Sequence, residues 1–178
     1  MGYYLNTFCI SILFTFLSER GFRKNKNIKG WICGLIGIIS LSYLAGIRGA
    51  SVGTDVSIYV IPYLERFKYF PTLFGFLSNS TIEPGFALLL FLNAKFFATP
   101  FFVLFVSQLL VVFPLYLIFY KFRETNSMTL SMILYDFLFY NMSLCIMRQF
   151  IATAFFLTGV IIFSDKKLFK FPLIFLSL

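Results

Sequence analysis

Four long stretches of the chain, 1–18, 30–47, 96–120 and 149–164, contain no Asp, Glu, Lys or Arg. A hydrocarbon layer about 30 Å thick takes roughly 20 such residues as a helix, so each stretch reads as a membrane-spanning segment. With the polar residues between them, the pattern predicts a helix over 3–18, a basic loop over 19–30, a helix over 31–47 and a polar, aromatic stretch over 48–82. An apolar segment 84–98 follows. Then come helix 100–120, basic loop 121–127, helices 128–147 and 149–164, basic loop 165–170 and an apolar tail 171–178. The fold class expected is all-α, a polytopic membrane bundle forming one domain over 1–178. No repeat or low-complexity linker divides it. The first apolar run has no basic residue ahead of it and no small-residue cleavage site after it, so it is expected to remain as a helix.

Segment 84–98 is short for a span, and Lys95 sits near its end. Loops rich in Lys and Arg stay on the cytoplasmic side, which decides between two arrangements. If 84–98 does not cross, Arg20, Arg23, Lys24, Lys26, Lys29, Lys121, Arg123, Lys166, Lys167 and Lys170 lie inside. Arg48, Arg66, Lys68, Lys95 and Arg148 then lie outside, ten against five. If it crosses, the balance becomes seven against eight. The first arrangement is the better one. It predicts an extracytoplasmic N-terminus, about five spans, a re-entrant or interfacial helix at 84–98, and a truncated further span beginning in 171–178.

Composition agrees with a membrane location. The chain is 60% apolar and 12% charged, where a soluble domain is about 45–50% and about 25%. Its 27 Phe residues suit a lipid-facing surface and carry no functional weight. The 15 basic residues exceed the 7 acidic ones, giving +8, but these cations flank apolar helices, where they set topology; nucleic acid is not an expected partner. The absence of His excludes an imidazole base or metal ligand. Cys9, Cys33 and Cys145 stand at unrelated spacings in apolar runs, as expected of small buried residues rather than a disulfide framework or metal site.

The charges most out of place, Arg48, Asp55, Glu83 and Arg148, all fall on the predicted outer face. The segment 46–55 combines glycines, which allow positive φ and close approach of amides to an anion, with the planar fork of Arg48. It lacks a P-loop ending; the alternative is a helix C-cap at Gly49 with Arg48 snorkelling. In 57–70, Ile58, Ile61, Leu64 and Phe67 recur at helical spacing, with Pro62 expected to bend or divide the helix. Glu83 precedes Pro84 at a helix start, as a cap or as a carboxylate held at the positive end of the dipole. Arg148 lies between two apolar runs with almost no loop, where burial makes a functional role the default and snorkelling the alternative. Asp136 falls near the middle of helix 128–147, with a hydrogen-bonded structural role and a functional one equally open.

Arg48-Gly49, then Val52-Gly53-Thr54-Asp55 with Tyr59, then Glu83-Pro84-Gly85-Phe86, then Arg148-Gln149 opening a helix, resemble the successive signatures of the EpsG family, Wzy-like bacterial polysaccharide polymerases. The resemblance covers the N-terminal portion of such proteins, which continue with further spans, so the chain is expected to be a truncated form. It implies a multi-pass protein of the bacterial inner (cytoplasmic) membrane that joins oligosaccharide repeat units carried on undecaprenyl pyrophosphate, for capsule, exopolysaccharide or O-antigen. Its partners would be that lipid-linked glycan, the lipid bilayer and other polysaccharide assembly proteins.

Glycosyl transfer from a sugar diphosphate requires neutralisation of the leaving group and deprotonation of an acceptor hydroxyl. Under the resemblance, Arg48 and Arg148 grip the diphosphate, Gly49 and Gly53 let backbone amides approach, and Thr54, Tyr59 and Gln149 complete the substrate-binding set. Glu83 or Asp55 is the base. Tyr59 and Tyr63 also suit interfacial anchoring. No cofactor or nucleotide sugar is called for, because the donor is already activated, and two carboxylates are weak grounds for a metal. The competing class is non-catalytic: a transporter or an accessory subunit of an export system.

Overall fold

The computed structural model describes residues 2–49, 52–67, 72, 74–75, 83–97 and 99–162. Among them every regular element is helical: α1 (Gly2–Arg23), α2 (Asn27–Ile47), a π-helical turn π1 (Val56–Val60) running into α3 (Ile61–Phe67), α4 (Pro84–Phe96) and α5 (Pro100–Lys121). One further run comprises α6 (Met128–Leu134), a second π-helical segment π2 (Tyr135–Phe139) and α7 (Tyr140–Cys145), and α8 is Met147–Ile162. The expected tail 171–178 and basic loop 165–170 lie outside the described residues.

The elements agree with the charge-free pattern but their ends shift. Helix 3–18 becomes Gly2–Arg23 and helix 31–47 begins at Asn27, so the expected loop 19–30 shrinks to a turn at 24–26. Asn25 makes that turn in the left-handed region, at φ 56°, where Asn is tolerated because its side chain bonds locally. Proline starts both α4 and α5, at the position where its missing N–H costs nothing. α2, α5 and Met128–Cys145 are long and apolar enough to cross a membrane, while Pro84–Phe96 and Met147–Ile161 are shorter apolar helices. α1 has the length, 22 residues, but buries Ser11, Thr15 and Ser18 along it. Among the described residues, length and apolarity therefore identify three of the five expected spans.

Small residues let the helices approach. A Cβ on Gly34 would lie 2.1 Å from the Tyr116 hydroxyl, which itself sits 2.5 Å from Ser18 Oγ. Tyr140 donates to the Leu41 carbonyl at 2.8 Å, and Gln108 donates to Tyr135 Oη at 2.7 Å. Polar contacts of this kind, together with close backbone packing, hold helices together where no hydrophobic drive is available. α5 runs antiparallel to α2, since Gly46 meets Phe101 and Gly34 meets Tyr116.

Two apolar cores result. The larger joins α1, α2, α5 and the last three helices around Ile38, Leu41, Val112 and Tyr140. The smaller joins π1, α3, α4 and the start of α5 around Val60, Leu90 and Leu104, and includes Met147. At the opposite end, Glu19 of α1 accepts hydrogen bonds from Ser127 Oγ (3.0 Å), Thr129 N (3.0 Å) and Thr129 Oγ1 (2.7 Å), and pairs with Arg23 (2.7 Å). This gathers the two basic turns at one end of the bundle.

The helical repeat read in 57–70 does not lie on one buried face. Val56, Val60 and Leu64 are buried, whereas Ile58 is 56% exposed. The π turn adds a residue to the helical repeat just before Pro62, where the missing N–H would interrupt an α-helical ladder, and so rotates the face. Pro62 does not divide the segment into separate pieces; π1 continues into α3. The cysteines are corrected too: Cys9 and Cys145 face outward, Cys33 is half-buried, and all three are free.

Candidate functional site

The connection between α7 and α8 is one residue long. Ile146 leaves the helix at φ −122° and ψ 58°, so the last carbonyls of α7 and the first amides of α8 lack intrahelical partners. Segment 48–55 supplies them. Arg48 Nη1 donates to the Leu144 carbonyl at 3.0 Å, and Thr54 Oγ1 donates to the Cys145 carbonyl at 3.1 Å. The backbone N–H groups of Met147 and Arg148 donate to the Asp55 carboxylate. A cation at a helix C-terminus and a carboxylate at a helix N-terminus each complement the local dipole.

Arg48 is buried rather than snorkelling. Its Nη2 lies 3.0 Å from Met147 Sδ and its Nε has no partner among the described residues. α2 ends at Ile47 with Arg48 in extended conformation. The expected left-handed cap at Gly49 is absent among the described residues: positive φ belongs to Gly53, at 97°. A Cβ on Gly53 would lie 2.5 Å from the Leu144 carbonyl oxygen, so glycine is needed there for both backbone angle and space. Gly49 instead accepts a turn hydrogen bond from Val52 N at 3.0 Å.

Arg148 faces the other way, toward α4 and π1. Its Nη1 contacts both Glu83 oxygens, at 3.0 and 2.7 Å, and its Cζ lies 3.8 Å from the Tyr59 ring centroid. Glu83 occupies the N-cap position of α4, yet its side chain makes no capping bond; it reaches across to Arg148. Tyr59 stacks on Tyr63 (centroids 6.4 Å apart, 12° between planes), and Arg66 lies 5.3 Å over Tyr63. Gln149 is exposed beside the pair.

Three parts of the chain far apart in sequence, residues within 48–59, Glu83 and residues 144–149, thus converge at the end of the bundle away from the basic turns. Arg48, Gly53, Thr54 and Asp55 bind the turn from behind; Arg148, Glu83 and Tyr59 form its outer surface. Burial pushes the Asp55 carboxyl above its ordinary range, against the pull of Arg148, the Met147 and Arg148 amides, and Arg48. Met147 and the Leu144 carbonyl, which position Arg48, were not among the expected site residues; a backbone carbonyl leaves no trace in the residue pattern. Among the described residues no group of three or more possible metal-binding side chains gathers. Asp136 stays apart from these residues, buried against Ser11 of α1.

A model of the EpsG family matches residues 31–178. The chain belongs to the EpsG family. The matched region contains every residue of the site, and with the apolar helices it makes this member of the EpsG family a multi-pass membrane protein. Comparison with curated proteins and with solved structures gave no match.

Proposed function

We propose that this EpsG-family chain takes part in joining oligosaccharide repeat units carried on undecaprenyl pyrophosphate, at the extracytoplasmic face of the bacterial inner membrane. The products would be capsule, exopolysaccharide or O-antigen. In this reading α1, α2, α5, Met128–Cys145 and α8 span, α4 does not, and the N-terminus is extracytoplasmic. The observation that carries it is the convergence of Arg48, Asp55, Glu83 and Arg148 at the end opposite the basic turns.

The pairing of Arg148 with Glu83 supports an order for the chemistry. Arg148 spends its charge on Glu83, which is exposed, while Arg148 itself is half-buried. A diphosphate carries more charge and more acceptor oxygens than a carboxylate, so it displaces Glu83 from the guanidinium. Glu83 is then free beside the bound donor. The acceptor hydroxyl oxygen attacks the anomeric carbon, its proton passes to the Glu83 carboxylate, and the carbon–oxygen bond to the diphosphate breaks with its electron pair leaving on the diphosphate. Arg148 neutralises that leaving charge directly, and Arg48 adds positive potential from behind the turn. Asp55, held by two backbone amides, is the positioning carboxylate rather than the base.

Arg148→Lys keeps the charge and removes the planar fork, and Glu83→Gln removes the base. Each is expected to abolish long glycan ladders on gels while leaving the protein in the membrane. An accessory subunit needing only the ion pair makes a different forecast: the swapped pair Glu83→Arg with Arg148→Glu would restore ladders. Restoration by the swap, or ladders persisting in Arg148→Lys, overturns the catalytic assignment.

A further inference from the structure

Two side chains hold the Arg148 guanidinium, and they hold different parts of it. Glu83 takes the edge: Nη1 reaches both carboxylate oxygens, at 3.0 and 2.7 Å. Tyr59 takes the face, with Cζ 3.8 Å from the ring centroid. That is van der Waals contact, and a carbon so near the centroid in the plane of the ring would overlap the ring itself, so the guanidinium lies over the ring. The five N–H donors of a guanidinium lie in its own plane. Contact with the ring face therefore leaves them for other partners.

The ring is itself well fixed. Tyr59 belongs to π1, between Val56 and Val60, which are both 0% exposed. Tyr63 stacks on it at 6.4 Å and 12°, with Arg66 5.3 Å over Tyr63. Asp55, just ahead of π1, accepts from the backbone N–H groups of Met147 and Arg148. One short segment thus holds both the backbone and the side chain of Arg148. The two side-chain contacts respond differently to an incoming anion. An anion competes with Glu83 for the in-plane donors, whereas the neutral ring offers no acceptor charge for it to replace. Without the ring, a guanidinium released by Glu83 regains the rotamer freedom of a long side chain, which binding must then take away again.

We infer that Tyr59 is a positioning residue: its ring keeps the Arg148 guanidinium in place while Glu83 exchanges for the ligand. The inference rests on the reading of the site as a diphosphate site. It moves Tyr59 from direct contact with substrate, which the family resemblance implies, to action through Arg148. It also sets what residue 59 can be, since Phe presents an aromatic face and Leu does not.

The test uses the full chain in detergent micelles with inorganic pyrophosphate as the probe, binding being read by calorimetry. Tyr59→Leu is expected to weaken binding about threefold to tenfold, and Tyr59→Phe less than about twofold. In an Arg148→Ala background Tyr59→Leu is expected to make no further difference, because the side chain it acts through is gone. An equal loss in both backgrounds means that Tyr59 meets the ligand itself, and a loss in Tyr59→Phe as large as in Tyr59→Leu means that the hydroxyl matters rather than the ring. Either result overturns the inference. Unfolding of the wild type, the two single variants and the double variant reads the same contact with no ligand present. Their losses of stability are expected to be less than additive, and additive losses overturn the inference even where Arg148→Ala no longer binds pyrophosphate. Less-than-additive losses in a wild type that binds no pyrophosphate support the hold on Arg148 and fail the diphosphate reading. Binding that depends on Arg148 but not on Tyr59 fails the positioning role alone.

Discussion

Gly53 is constrained both by its φ of 97° and by the Leu144 carbonyl 2.5 Å from where a Cβ would stand. Gly53→Ala is therefore expected to lower stability by more than ~1 kcal/mol and to loosen the loop from the turn, read as a lower melting temperature in detergent and faster proteolysis near residue 53. Asp55 offers a finer test, because its carboxylate caps the start of α8. Asn caps as well as Asp, whereas Ala forfeits the bonds at a cost of about 1 kcal/mol. Asp55→Asn is expected to keep both fold and glycan ladders, and Asp55→Ala to lose stability; loss of ladders in a folded Asp55→Asn protein would make Asp55 the base. The sign of the pH effect follows from its raised carboxyl. A carboxyl raised on folding contributes stability below its unfolded value, here the ordinary 3.8, and that contribution is lost as pH climbs through the raised value. Wild-type stability measured upward from pH 4 is expected to decline in that window relative to Asp55→Asn.

Charge-free runs located α2 and α5 to within a few residues, because a bilayer tolerates few alternatives to an uninterrupted apolar helix. What they could not show is where a helix continues through charge. α1 runs on through Glu19 and Arg23 because Glu19 finds three donors on residues 127 and 129, a tertiary pairing with no local signature. Similarly, the π turn at Val56–Val60 puts Val56 and Val60 in the core and leaves Ile58 exposed, and periodicity assumes the α repeat that the turn breaks. Glycines and charges in 46–55, Glu83 and Arg148 marked the site, since polar groups are costly in such a chain and rarely idle. Their partners were illegible, as they include the Leu144 carbonyl and Met147 Sδ. The junction at Glu19 can be tested at this level: Glu19→Ala leaves the first donors of α6 unpaired and is expected to cost roughly 1–3 kcal/mol in detergent unfolding. Glu19→Gln, which retains an acceptor, is expected to lose less; equal losses would mean that charge alone makes the junction.

At the scale of the molecule the charge is divided between two ends. Arg20, Arg23, Lys24, Lys26, Lys29, Lys121 and Arg123 lie in or beside the turns that Glu19 gathers, whereas Arg48 and Arg148 belong to the opposite end. α4 adds a geometric constraint. Its first turn is tied to Arg148 through Glu83, and its last leads within four residues to Pro100, where α5 starts beside the end of α2. Both ends of α4 therefore lie at the same end of the bundle, so a helix of 13 residues, about 20 Å long, does not carry the chain across. With α4 returning, the basic turns fall at one end and the site at the other, and in the proposed reading the preference of basic loops for the cytoplasm puts the site outside. Gly85 has nothing within 4 Å of a Cβ and Lys24 is exposed in the first turn, so single cysteines at these positions, with Cys9, Cys33 and Cys145 replaced by Ala, report each end without disturbing packing. An impermeant maleimide is expected to label Gly85→Cys in intact cells and Lys24→Cys only after permeabilisation. Labelling of Lys24→Cys in intact cells, with Gly85→Cys protected, would put the Arg148–Glu83 pair on the cytoplasmic side, where no polymer could be extended outside the membrane.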